Sequence, residues 1–87
     1  MIHRLKPHSP EWFTALKRFD SRQAEQTAQM IKMAGSAEVC SVCGDDPARD
    51  YEIVKPAPVD GSVATIRLCS DCVEIRSDGG EGFVPFA

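Results

Sequence analysis

The sequence predicts a small α+β fold: a helical N-terminal segment, then a cysteine-stapled module of tight turn, β-hairpin and short helix. Three observations predict it. Apolar residues recur at helical spacing over 9–35, β-branched runs occupy the middle of the chain, and the four cysteines form two CxxC pairs. The 87 residues make one domain at most. A single core of that size is marginal, and aromatic residues supply only 7% of the chain, so a staple is expected.

Residues 1–8 read as a flexible polar arm, with Pro7 near its end. Ser9-Pro10-Glu11 is a helix start: an N-cap serine, proline at the first helical position and an acid in the first turn. Trp12, Leu16 and Phe19 then share one face, and Lys17 and Arg18 fall away from it. Asp20-Ser21-Arg22-Gln23 resembles a second cap, with Gln23 placed as in a capping box. Ala24, Ala28 and Ile31 continue the periodicity, and Gly35 suits a helix C-terminus. Two readings fit residues 9–35: a helical hairpin broken near Asp20, or one helix from Pro10 to Ala34.

Residues 36–80 form the stapled module. Tyr51–Val54 and Val63–Leu68 read as strands, with Ala64, Ile66 and Leu68 on one face and Thr65 and Arg67 on the other. Two prolines and an Asp-Gly between them forbid a strand and predict an exposed loop. A short helix is expected from Cys69 to the Gly79-Gly80 pair. Residues 81–87, with Phe83 and Phe86, form an apolar tail that needs a surface to cover it.

Cys40 and Cys43 are one CxxC pair; Cys69 and Cys72 are the other. Two such pairs at this separation point to a tetrahedral four-cysteine metal site. A CxxC turn brings two sulfurs onto one ion at about 2.3 Å. Gly44 permits the positive φ that closes a knuckle after Cys43, whereas Val73-Glu74-Ile75 continues as helix after Cys72. A helix N-terminus there favours thiolate. Knuckle, hairpin and helix-borne ligands describe a treble-clef zinc finger better than a ribbon with two knuckles. Zinc is expected over iron, and metal ligation over a disulfide or redox role. Four protein ligands close the shell, so one structural Zn2+ is expected, supplying about 10 kcal/mol of folding energy. Serine substitution at Cys40 or Cys72 is expected to unfold residues 40–80 and spare some N-terminal helix.

Over residues 38–77 the Cys40-Ser41-Val42-Cys43-Gly44 knuckle and the Cys69-Ser70-Asp71-Cys72-Val73-Glu74 run resemble the N-terminal zinc-binding domain of the ClpX unfoldase. The resemblance implies a four-cysteine treble clef and a protein-binding or self-associating role. The segment between the cysteine pairs is longer here, around Pro56–Gly61, and no Walker motif accompanies it, so unfoldase activity does not carry over. The whole chain looks like a small bacterial zinc protein.

Charge divides the chain. Residues 1–35 carry six basic and three acidic side chains; residues 36–87 carry four and ten. The acidic half repels phosphate backbones. The N-terminus lacks an apolar signal core, no run reaches the ~18 apolar residues of a membrane helix, and a cytoplasmic setting is expected. His3 and His8 read as solvated arm residues, Asp45-Asp46 as a turn, and Met30 as filler against the metal module. Ser41, Ser70 and Ser77 lack a nucleophile's context. The expected function is a non-catalytic zinc-binding protein-interaction module, adaptor or regulatory in role, with no small-molecule substrate. Its partner is another protein or a second copy in a homodimer, met by Trp12, Phe13, Phe19, Phe83 or Phe86. The alternative is a nucleic-acid-binding regulator using Lys17, Arg18 and Arg22.

Overall fold

The computed structural model describes residues 1–86. Helix α1 spans Pro10–Phe19 and α2 spans Ser21–Ala34. Strand β1 (Ala48–Lys55), strand β2 (Thr65–Cys69), helix α3 (Ser70–Asp78) and strand β3 (Gly82–Pro85) follow. The result is a small α+β fold with an antiparallel sheet in the order β2-β1-β3.

The two N-terminal helices form a hairpin, not one rod. Ser9 caps α1 by accepting from the Trp12 N–H. Asp20 leaves helical geometry, at φ −149° and ψ 87°, and makes the joint by itself. Its N–H closes α1 on the Leu16 carbonyl at 2.6 Å, and its carboxylate caps α2 by accepting from the Gln23 N–H at 3.1 Å. The joint needs no glycine, because one residue serves both helix ends.

The first core joins the hairpin to the chain before β2: Trp12, Ala15, Leu16, Ala24 and Val63, with Leu5 and Phe13 packed against them. Trp12 is 2% exposed and its Nε1–H donates to the Thr65 carbonyl at 3.0 Å. Trp12 is therefore a core anchor and offers a partner no surface. The second core lies on the other side of β2. Ile66, Leu68, Cys40 and Cys69 are buried there with Tyr51, Ile53, Val73 and Phe83 against them.

Every residue of β2 is buried. The expected alternation holds, but the Thr65–Arg67 face is covered as well. Thr65 Oγ1 donates to the Leu5 carbonyl at 2.5 Å, and Arg67 pairs with Asp50 and with the Ala37 carbonyl. Leu5 meets Thr65, whereas Asp50 and Ala37 meet Arg67. Part of the cover thus comes from residues 1–8, which the sequence reads as a flexible arm. Instead His3 bridges Val63 in parallel, donating to the Ser62 carbonyl and accepting from the Ala64 N–H. The N-terminal amine pairs with Asp60. Backbone hydrogen bonding, invisible in side-chain polarity, ties this segment down.

The apolar tail supplies β3. It pairs with β1 and brings Phe83 edge-on to Tyr51, with the Arg76 guanidinium over the Phe83 ring. Gly82 sits at an irregularity in that pairing, where an added Cβ would lie 2.9 Å from the Lys55 Cβ. Pro85 ends the strand, as suits a sheet edge.

Candidate metal centre

The sequence places Cys40 and Cys43 in the turn before β1. Here the Gly44 N–H returns to the Cys40 carbonyl at 3.1 Å, and the Cys40 N–H donates to the Asp45 carbonyl at 2.8 Å. Gly44 takes φ +78°, the left-handed value that closes the turn. A Cβ there would also lie 3.4 Å from Met30 Sδ, so Met30 of α2 packs directly on the knuckle. Cys69 ends β2 and is at the same time the N-cap of α3, and Cys72 lies in that helix's first turn. The Cys69 side chain makes no cap hydrogen bond; its sulfur is turned to the other cysteines.

The four sulfurs all lie within 4.8 Å of one another and could hold one metal ion. Cys43 Sγ is 3.5 Å from the sulfurs of both Cys69 and Cys72. A tetrahedral ion with sulfur bonds of about 2.3 Å spaces its sulfurs about 3.8 Å apart, which matches this crowding. The thiol protons show the same strain. Burial opposes the Cys40 thiolate, yet amides of Cys43, Cys69 and Val42 outweigh it and hold the thiol at about 7. Burial and neighbouring sulfurs push Cys43 up to about 11 and Cys72 higher still. Four thiols this close cannot all ionise unless a cation balances them. Cys40 and Cys69 are buried, Cys72 is half-buried and Cys43 is exposed, so the centre has one solvent side.

Ser41 fastens this centre to the rest of the molecule. It is fully buried. Its N–H donates to the Arg67 carbonyl at 2.7 Å, and its hydroxyl accepts from the Arg67 N–H at 3.2 Å. Its carbonyl accepts from Thr27 Oγ1 of α2 at 3.1 Å. His8 completes the cluster. Its Nδ1 lies 2.7 Å from the Ala37 carbonyl, which can only accept, so Nδ1 carries the proton. Nε2 then accepts from the Ser41 hydroxyl at 2.6 Å. Burial lowers the His8 pKa, and the nearby Arg67 charge lowers it further, against the Ala37 bond and Asp50. His8 is thus a clamp, not a solvated arm residue, and its φ of +67° serves that placement. No sequence motif marks His8 or Arg67, and the knuckle motif that contains Ser41 does not reveal its partners, because they are distant in the chain.

The aromatic residues expected at a partner surface scatter. Trp12 is core, and Phe13 is half-buried against Trp12 and His8. Phe83 is packed on Tyr51 and Arg76, while Phe86 lines a polar cleft with Arg49, Asp46 and Glu38. Phe19 alone of the five is strongly exposed, at 51%. It stands between a groove of about 560 Å³, with Leu5, Ala15 and Arg18, and a smaller one of about 270 Å³, with Ile53, Pro58 and Val63. Lys17, Arg18 and Arg22 are exposed and enter no ion pair among the described residues. No described helix is long and apolar enough to cross a membrane.

Comparison with protein-family models, with curated proteins and with solved structures returns no match. The likeness to the ClpX zinc-binding domain therefore rests on the cysteine motifs alone.

Proposed function

We propose that the chain is a non-catalytic zinc-binding module that acts by binding another protein, as an adaptor or regulatory subunit. The observation that carries this reading is the cluster of Cys40, Cys43, Cys69 and Cys72. Zinc accepts four thiolates in a tetrahedron, and such a shell leaves no position for a substrate or an activated water. The treble-clef reading is supported by the order of knuckle, antiparallel β1–β2 pair and ligands on the first turn of α3. Metal analysis of the purified chain is expected to return one zinc per chain. A folded chain without metal would overturn the assignment.

Binding to a partner is supported by Phe19, exposed between two apolar grooves. Phe19→Ser is expected to abolish capture of a cellular partner, or self-association read by light scattering, while leaving zinc content unchanged. The exposed, unpaired Lys17, Arg18 and Arg22 support the second reading, nucleic-acid binding. That reading requires a gel shift that fades steeply with salt and disappears when the three become Glu.

A further inference from the structure

The two CxxC pairs are symmetric in sequence, but their four sulfurs are not equivalent. Cys40 is 0% exposed and Cys69 6%. Cys40 Sγ also accepts the Val42 N–H at 3.4 Å. Cys43 is exposed and Cys72 half-buried, and these two belong to different motifs. Their sulfurs are 3.5 Å apart, so a disulfide of about 2.05 Å needs them to close by about 1.5 Å. Cys43 sits on the knuckle and Cys72 on the first turn of α3, so that bond would tie the two halves of the centre together.

We infer that Cys43 and Cys72 form a peroxide-reactive pair, in which the exposed Cys43 thiolate is oxidised first and Cys72 closes a disulfide that releases the zinc. The inference rests on the zinc reading above. Cys43 thiolate displaces hydroxide from hydrogen peroxide and becomes a sulfenic acid. Cys72 thiolate then attacks that sulfur and displaces a second hydroxide. The two sulfurs together lose two electrons, which reduce the O–O bond, and two protons from solvent turn both hydroxides into water. Zinc loses two of its four ligands. Cys40 and Cys69 remain reduced, one tied to a backbone amide and both shielded from solvent. A dithiol reductant and added zinc reverse the process.

The test uses the zinc-loaded full chain and stoichiometric hydrogen peroxide. Zinc release is followed with a chromogenic chelator, and the disulfide is mapped by peptide mass spectrometry. The expected result is one zinc released per disulfide, with Cys43–Cys72 as the dominant linkage and full recovery on reduction with zinc present. Brief alkylation of the wild-type zinc form, which needs no variant that fails to fold, is expected to label Cys43 before the other three. A dominant bond other than Cys43–Cys72, including Cys43–Cys69 at the same 3.5 Å, first labelling at any cysteine but Cys43, or zinc held through peroxide treatment would each overturn the inference while leaving the zinc reading intact. A chain that folds and purifies without zinc overturns both.

Discussion

Ser41 is the residue on which the metal centre and the helices meet. Its side chain serves the Arg67 N–H and His8 Nε2, and its carbonyl serves Thr27. Ser41→Ala leaves buried polar groups of Arg67 and His8 unpaired. The expected cost is about 2 kcal/mol, read from urea unfolding of the metal-loaded chain. His8 adds a pH dependence. In the unfolded chain it titrates near 6.5, and in the folded chain lower, mainly through burial. Between the two values the unfolded chain binds more protons, so stability is full above 6.5 and declines as pH falls toward the folded value. The reason is local. A protonated Nε2 must donate to Ser41, and the serine hydroxyl loses its acceptor. His8→Asn, which tolerates the left-handed backbone, is expected to flatten that decline relative to wild type when both are unfolded across the same pH series. Subtracting the two curves removes the contribution of the cysteines.

At the scale of elements, the joint between α1 and α2 depends on a single side chain. Asp20 caps α2 through its carboxylate, which accepts from the Gln23 N–H. Asp20→Ala is expected to lower stability by about 1 kcal/mol and to speed amide exchange in the first turn of α2. The metal site should keep its affinity in this variant, because Thr27 and Met30 meet the knuckle farther along the helix. β3 is held differently. Arg76 pairs with Glu81 in a two-pronged contact of 2.6 and 2.7 Å while covering Phe83. That pair joins the end of α3 to the start of β3 and fixes the turn between them. The Arg76 guanidinium holds the Glu81 carboxyl below its usual range.

The contacts of the whole molecule converge on β2. One side of β2 carries Ile66 and Leu68 toward the cysteine cluster, and the other carries Thr65 toward Leu5 of the N-terminal segment and Arg67 toward Asp50 and the Ala37 carbonyl. Trp12 grips the Thr65 carbonyl of the same strand, and Ser41 binds Arg67 there. Loss of an ion held by the four cysteines is therefore expected to disturb more than the segment that carries them. Chelation of the zinc form is expected to collapse the α1–α2 signal in circular dichroism together with the tryptophan fluorescence of buried Trp12, in one transition. This differs from the behaviour expected of the isolated sequence segments, in which the helical half survives alone. Two separate transitions, with the helices outlasting the finger, would refute the single-unit picture.

Local chemistry was enough to read much of this protein from its residues. Ser9, Asp20 and Gly35 mark helix ends by interactions with backbone a few residues away. The two CxxC spacings bring sulfurs together within one turn, and Gly44 closes the knuckle by its own backbone freedom. Such features act over three or four residues, so spacing alone reveals them. The tertiary structure decided what spacing could not. It buried Trp12, pinned residues 1–3 along 61–64, and made Ser41 and His8 the link between halves. Those contacts join residues 26 to 61 positions apart. It also separated the four cysteines into shielded and exposed sulfurs, a difference set by the packing of β2 and α3 around them. Pairing across such distances follows from how the two cores close on β2, and no local pattern encodes it.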